Sequence, residues 1–171
     1  MKVWPVLVYA ALTLGCTPSK PERLGAPIEG YNHTSAAINR FTVNDEGGPN
    51  IGPHQDGSGQ NCCVTLPVKW EPGLQVVVEW EKDQDPRSYG SWPEKLFSEE
   101  WTRRMDEHAT HYTRHSAVAE VYPYEDLGVV NVHFLPCNQI KVTAGIYGPN
   151  HEKYPFHISP RVKEPKTCPA P

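Results

Sequence analysis

Cysteine is the residue type in this sequence with the widest choice of chemistry. Cys62 and Cys63 are adjacent in the stretch GQNCCVTLP, Cys137 follows an apolar run, and Cys168 lies in the proline-rich end of the chain. A cysteine thiolate can ligate a metal, attack an electrophile or exchange disulfides. Metal and redox centres commonly use a Cys-x-x-Cys spacing, and these four cysteines do not have it. The choice between the remaining roles depends on the compartment.

The N-terminal residues predict export. The stretch MKVWPVLVYAALTLGCTPSK has one cation, Lys2, followed by an apolar run that ends just before Cys16. This is the design of a secretory signal, and the run is short for a transmembrane helix. Its end resembles a bacterial lipobox, which implies that Cys16 is lipidated and becomes the new N-terminus, although Thr13 stands where leucine is common. The alternative is an ordinary cleaved signal with a chance cysteine.

The lipobox resemblance also implies a location. Thr17, rather than an aspartate, follows the lipidated cysteine. By resemblance to other such lipoproteins, this favours the outer membrane, with the body of the protein in the periplasm. We expect a signal peptide at 1–15, the lipidated cysteine and a flexible tether at 16–27, one β-rich domain at 28–160 and a proline-rich tail at 161–171.

Composition narrows the class of protein further. Removal of residues 1–15 takes away one of the 16 Lys and Arg residues, which leaves 15 basic against 20 acidic side chains. An acidic balance argues against a nucleic-acid partner, which requires a basic surface. The 18 prolines and 13 glycines favour many short strands joined by turns over a helical bundle.

In an exported protein, the four cysteines after Cys16 are expected to form disulfides. Four cysteines allow three connectivities. Because a ring between adjacent cysteines would be strained, we favour a bond from Cys62 or Cys63 to Cys137, with Cys168 taking the other partner.

The other reactive residue types do not form a recognised catalytic motif. Ser58 lies in GSG, but a nucleophile elbow needs Gly-x-Ser-x-Gly, and Asp56 and Gln60 occupy the outer positions. Four carboxylates could act as a general acid and base, namely Asp83, Asp85, Glu125 and Asp126. Each lies in a turn-like stretch, so we interpret them as solvated side chains of loops. We therefore expect no enzyme and no cofactor.

Three histidines are the remaining candidates for chemistry. His108, His111 and His115 are spaced i, i+3 and i+7 in a stretch with helical periodicity, so they would lie near one face and could bind a transition metal. No cysteine or carboxylate nearby completes a tetrahedral set. The alternative is a face that contacts solvent or a partner, and we expect no metal.

The elements that would position these residues are mostly strands. Six runs have strand character: 38–44, 62–70, 74–82, 117–124, 128–135 and 139–147. In 74–82, Leu74, Val76, Val78 and Trp80 share one face. Ser98 is a good N-cap for a helix over about 98–115, with Glu99 and Glu100 in its first turn. The expected fold is mainly β, with sandwich-like antiparallel sheets and one inserted α-helix.

Several stretches resemble a known family. GYNHT (30–34), INRFTVN (38–44), CCVTLPVKWEPGLQVVVEW (62–80) and VHFLPCNQIKV (132–142) are similar to a family of small bacterial lipoproteins catalogued as a domain of unknown function. The resemblance covers about 28–158. It implies a periplasmic immunity protein that binds and neutralises a lipase-class toxin of the type VI secretion system. Its partners would be that toxin and, through the lipid anchor, the membrane.

Other functions remain open from the sequence. The protein could be a structural or assembly lipoprotein of the envelope without a toxin partner, or give immunity to a peptidase effector. A third alternative is an enzyme or metal carrier that uses the histidine-rich helix.

An immunity protein would bind its toxin through exposed aromatic and charged side chains, since aromatic residues and arginine dominate binding hot spots. The candidates are Tyr89, Trp92, Trp101, Arg104, Tyr124, Glu125 and Asp126. Asp83 and Asp85 could steer a basic patch on the toxin. The alternative for Trp92 and Trp101 is a place in the core.

Overall fold

Two four-stranded β-sheets pack face to face in the computed structural model, which describes residues 22–168. A single α-helix, α1 (Glu99–Ala109), interrupts the strands, and short 3₁₀ turns occur at Ser88–Ser91 and Pro136–Asn138. The strands are β1 (Arg23–Asn32), β2 (Ala37–Val43), β3 (Glu46–Gly48), β4 (Asn61–Pro67), β5 (Gln75–Asp83), β6 (Thr113–Glu120), β7 (Leu127–Leu135) and β8 (Gln139–Gly145). The prediction of a mainly β sandwich with one inserted helix is confirmed.

The strand order explains how distant parts of the chain meet. Sheet A has the order β4-β1-β7-β8, and sheet B has the order β3-β2-β5-β6. All neighbouring strands are antiparallel except β1 and β7, which run parallel from Ile28↔Val130 to Asn32↔Phe134. Sheet A is therefore mixed, whereas the sequence predicted antiparallel sheets.

The core follows the alternation of apolar residues along the strands. Val76, Val78 and Trp80 of β5 are buried between the sheets, as the sequence predicts. Val130 and Val132 of β7 face them from sheet A. Burying each such side chain contributes roughly 1.5–3 kcal/mol, which makes this alternation the main determinant of strand register.

The outer face of sheet A is also covered. Residues 146–168, which we call the strap, cross it after β8. Tyr154 of the strap is buried, and the backbone N–H of Val162 donates to the carbonyl oxygen of His33 at 3.1 Å. The proline-rich end predicted as a tail is therefore attached to the domain as far as Cys168, because Cys168 is bonded to Cys137.

The predicted disulfide pairing is wrong. Cys62 is bonded to Cys63, and Cys137 is bonded to Cys168. Cys62 and Cys63 are the second and third residues of the edge strand β4, whereas Cys137 lies in the turn between β7 and β8, so β1 separates them. Strands lie about 4.8 Å apart, so the gap is roughly 10 Å or more, too wide for a disulfide.

Two predicted boundaries also change. β1 begins at Arg23, so the end of the stretch 16–27 is paired strand and not flexible tether: Arg23 lies opposite Pro67 of β4. The predicted signal peptide at 1–15 and the lipidated Cys16 lie outside the described residues.

The helix is shorter than the predicted 98–115. Ser98 caps it as predicted, its hydroxyl oxygen accepting from the backbone N–H of Trp101 at 3.2 Å. It ends at Ala109, because the residues from Thr113 onward pair with β5 as strand β6. None of the side chains of α1 is buried, so the helix gains no core packing that could extend it at the expense of the pairing between β5 and β6.

Candidate partner-binding surface

The connection between β5 and β6 is the most prominent excursion from the sandwich. We call residues 84–112 the arm; it contains the 3₁₀ turn Ser88–Ser91, an extended loop and α1. An amphipathic helix normally packs its apolar face against the core. None of the side chains of α1 is buried, so its apolar side chains are accessible to a partner. The arm is therefore the strongest candidate for a binding surface.

A buried carboxylate anchors the arm to sheet B. Asp83, at the end of β5, accepts at Oδ2 from His108 Nε2 of α1 at 3.1 Å, and at Oδ1 from the backbone N–H of Asp85 at 2.9 Å. Asp83 is only 6 % exposed. The prediction that Asp83 steers a toxin is therefore wrong, because its charge is enclosed and holds the arm. Asp85 is exposed.

Ser88, His108 and Asp83 occupy positions that invite comparison with a catalytic triad. Ser88 Oγ lies 3.5 Å from His108 Nδ1, at the limit of a hydrogen bond, while the hydroxyl donates to the carbonyl oxygen of Asp85 at 3.1 Å. The imidazole is also enclosed edge-on by Trp92 and Tyr112. This arrangement fastens the arm and does not present an activated hydroxyl.

Three aromatic side chains cluster on the arm. The ring of Trp101 lies 5.3 Å from that of Phe97 and 6.2 Å from that of Trp92, between ring centroids. Phe97 is 78 % exposed, and its backbone has φ 64°, a left-handed conformation that is costly for an aromatic residue. The backbone of Phe97 is thus strained while its apolar ring remains in water. Neither feature stabilises the fold, which points to a role for Phe97 other than folding.

A cation completes this cluster. Arg104 forms an ion pair with Glu94 at 2.7 Å, and its guanidinium lies 5.6 Å from the centre of the Trp92 ring. We call Trp92, Phe97, Trp101 and Arg104 the aromatic patch. Leu96, at 58 % exposure, and Tyr89 extend the apolar surface of the arm. Trp92 and Trp101 are half-buried within the arm and lie outside the hydrophobic core between the sheets.

The remaining partner candidates lie at the other end of β6. Tyr124, Glu125 and Asp126 follow β6, whereas the arm precedes it, so the length of the strand, roughly 25 Å, separates the two groups. The Tyr124 hydroxyl donates to the carbonyl oxygen of Pro67 at 2.6 Å, and Asp126 pairs with Lys69 at 2.6 Å. These three residues line a separate cavity of about 210 Å³ beside β8 and the strap.

The three histidines considered for a metal do not share a helix face. His108 is bonded to Asp83, His111 is exposed in the turn after α1, and His115 lies on β6, stacked against Trp80 at 5.3 Å. Their predicted helical spacing fails because the helix ends before His111.

Among residues 22–168, one group of potential metal ligands converges, namely Cys137, Glu164 and Cys168. Two of its three members are joined in a disulfide, so their sulfurs are not available as thiolates.

A buried chain of polar side chains, which no sequence pattern indicates, lies beneath the strap. His33 Nε2 lies 2.9 Å from His133 Nδ1, and His133 Nε2 lies 2.6 Å from the Tyr154 hydroxyl. That hydroxyl is 3.0 Å from Thr143 Oγ1, to which Asn131 Nδ2 donates at 3.3 Å. His133 has no signal in the sequence, because its partners His33 and Tyr154 are distant from it along the chain.

The ends of this chain fix its hydrogen-bond directions. His33 Nδ1 lies 2.7 Å from the carbonyl oxygen of Ser159, which can only accept, so Nδ1–H donates. In a neutral imidazole Nε2 is then the acceptor. His133 Nδ1–H then donates to His33, and Tyr154 donates to His133. Burial, with His33 and Lys141 adding to it, lowers the pKa of His133 to about 3. Burial raises the pKa of Tyr154 to about 12. Both groups are held neutral, which suits a structural role.

Comparison with known proteins adds one assignment. Residues 31–142 match the family model described as "Protein of unknown function (DUF3304)". The chain belongs to this family. The DUF3304 segment includes the arm and both histidines of the buried pair. Neither the curated proteins nor the solved structures give a match to the chain.

None of the helices within residues 22–168 combines the length and the apolar character needed to cross a bilayer.

Proposed function

We propose that this protein is a lipid-anchored periplasmic immunity protein that binds a secreted lipase-class toxin and neutralises it by stoichiometric inhibition. The observation that carries the proposal is the aromatic patch on the arm, and above all Phe97, held 78 % exposed in a left-handed conformation. The identity of the toxin class rests on the family resemblance given by the sequence. The patch supplies the physical means of binding.

The composition of the patch suits a protein partner. Trp and Arg are the residue types most enriched at binding hot spots, and Trp92, Trp101 and Arg104 lie together. Phe97 offers an apolar side chain that a pocket on the toxin could bury, and burial of such a ring is worth roughly 1.5–3 kcal/mol.

The arm is also organised before it meets a partner. Asp83 fixes α1 to the sheet through His108, and Ser98 caps the helix that follows Phe97. A surface that is already ordered loses less conformational entropy on binding, which favours affinity. The sandwich and its disulfides then act as the support for this surface, and the lipid on Cys16 would keep it at the membrane that a lipase attacks.

The test begins with the genes beside this one: where one of them encodes a lipase-class effector, that effector is directed to the periplasm of a test strain, with and without this protein. Survival only in its presence is the expected result. The Phe97→Asp substitution should abolish protection, because it places a charge where an apolar contact is expected. The Leu24→Asp substitution, at another exposed apolar position, serves as the control and should protect fully. Equal killing with and without the wild-type protein would contradict the proposal.

A further inference from the structure

The four strand edges of the sandwich differ in how well they are protected against pairing. The edge strand β3 has only three residues, and Pro49 follows it. β4 ends in Pro67, and the register of its pairing with β1 shifts between Ala26 and Ile28. The residues after β6 cover β8, where the backbone N–H of Tyr122 donates to the Val142 carbonyl oxygen at 3.0 Å. Short strands, prolines, bulges and covering segments all prevent edge pairing.

The edge of β6 has none of these protections. It pairs with β5 without a register shift over its full length, from Thr113↔Lys82 to Glu120↔Gln75. Its sequence, TRHSAVAE, contains no proline, glycine or lysine. Within residues 22–168, the backbone hydrogen bonds outside regular elements involve no residue of β6 itself. A regular, open edge of this length is a template for another strand.

We propose that two copies of this chain associate through β6, antiparallel and related by a two-fold axis at Ala117, to form one continuous eight-stranded sheet. This inference is independent of the proposed toxin partner. It follows from the way in which the β6 sequence complements itself.

The side-chain faces restrict the possible registers. Arg114, Ser116, Val118 and Glu120 point to the exposed face of sheet B, whereas Ala117 and Ala119 pack toward the core. Opposite residues of an antiparallel pair share a face, so only registers centred on a residue keep both cores continuous.

Charge selects one register among these. A two-fold axis at Ala117 places Arg114 opposite Glu120 of the second copy, and Glu120 opposite Arg114 of the second copy, on the same exposed face. Opposite charges at directly opposed positions stabilise strand pairs, and symmetry makes this contact twice. In the monomer, Arg114 forms an ion pair with Glu81 at 3.1 Å, and the Arg114 side chain is 78 % exposed.

An apolar stripe would be completed by the same register. Val77 of β5 and Val118 of β6 lie directly opposite each other and are 43 % and 64 % exposed. In the dimer, Val118 lies opposite Ser116 of the second copy and diagonal to Val118 of the second copy. Four valines would thus form a stripe across the new sheet, with part of their surface removed from water.

The test is sedimentation velocity on the mature chain, residues 16–171 with Cys16→Ser, over a series of concentrations. We expect a reversible monomer–dimer equilibrium. Arg114→Glu or Glu120→Arg alone should weaken dimerisation roughly tenfold, because each creates two like-charge contacts. The double variant Arg114→Glu/Glu120→Arg should restore the dissociation constant to within about threefold of the wild type. Arg103→Glu, an exposed charge on the arm, is the control and should change nothing.

Val118→Lys gives a second variant that leaves the pair between Arg114 and Glu81 intact. It adds lysine to an exposed edge position, so it should weaken the dimer without lowering the melting temperature of the monomer. A wild-type chain that stays monomeric throughout the concentration series overturns the proposal. So does a double charge swap that fails to restore a dimer broken by either single change.

Discussion

His33 and His133 are 100 residues apart in the sequence, yet their rings share a buried hydrogen bond of 2.9 Å. The parallel pairing of β1 with β7 brings them together, and the strap closes over them with Tyr154 and the carbonyl oxygen of Ser159. Each ring nitrogen of the two residues is used once. The pair therefore joins three parts of the chain in one network, in which burial keeps the imidazole of His133 uncharged.

The neutral state of His133 predicts a loss of stability in acid. Its pKa is lowered to about 3 in the folded protein, whereas an unfolded histidine titrates near 6.5. Between these values the unfolded state binds the additional proton, so the free energy of unfolding falls as the pH is lowered from about 6.5 toward 3. The total effect is at most about 5 kcal/mol. Urea unfolding across this pH range measures it.

Two variants isolate the contribution of this ring. His133→Gln retains a donor and an acceptor but does not titrate, so the acid-dependent slope should become much shallower. His157→Gln, at an exposed histidine, should leave the slope as in the wild type. Equal stability of the wild-type protein at pH 4 and pH 7 would be incompatible with a buried neutral His133.

Asp83 is expected to control the order of the arm. Asp83→Asn removes the charge that faces His108 while keeping the size of the side chain, and should detach α1 from sheet B. Hydrogen exchange in residues 99–109 should accelerate at least tenfold, while exchange in β7 stays unchanged. Asp85→Asn, at the neighbouring exposed carboxylate, is the matched control. Unaltered exchange in Asp83→Asn would show that the helix is held by other contacts.

The sequence predicts six of the eight strands, omits β1 and β3, and does not predict the contacts between distant segments. The alternation in β5 and β7 is a local property, so both the strands and their buried faces follow from it. The parallel pairing of β1 with β7, and with it the two-histidine network, depends on topology that no local pattern encodes. Asn131 and His133 are buried although they face away from the core, because the strap covers them.

The candidate site is also predicted only in part, because residue types are local properties whereas contacts between distant segments are not. Residue type alone identifies Trp92, Trp101 and Arg104 as candidates, and the structure places them together on the arm. No sequence signal identifies Phe97, because nothing in the composition marks a left-handed, exposed position. The sequence predicts His111 and His115 on the helix, but the helix ends before them. Its end is decided by the pairing of β6 with β5, whose residues lie much earlier in the chain.

The two disulfides should differ greatly in their contribution to stability. The Cys137–Cys168 bond closes a loop with a sequence separation of 31, whereas Cys62 and Cys63 are adjacent and close no loop of chain. Loop-closure entropy predicts that Cys137→Ser/Cys168→Ser lowers the free energy of unfolding by about 3–4 kcal/mol.

The pair Cys62→Ser/Cys63→Ser should cost far less. Denaturant unfolding of both double variants tests the difference, and limited proteolysis should cut the strap only in the first. Equal losses in the two variants would contradict this explanation.

Substitution of Phe97 should separate stability from binding. Phe97→Asn and Phe97→Leu both remove the exposed ring, so both should lose protection against the toxin. Asparagine tolerates a positive φ far better than leucine does, so the asparagine variant should be more stable than the leucine variant by about 1 kcal/mol. Thermal unfolding of the two proteins, matched with survival assays, checks both expectations. If both variants still protect, then Phe97 lies outside the toxin interface. If the leucine variant is the more stable, the left-handed conformation at position 97 does not destabilise the fold.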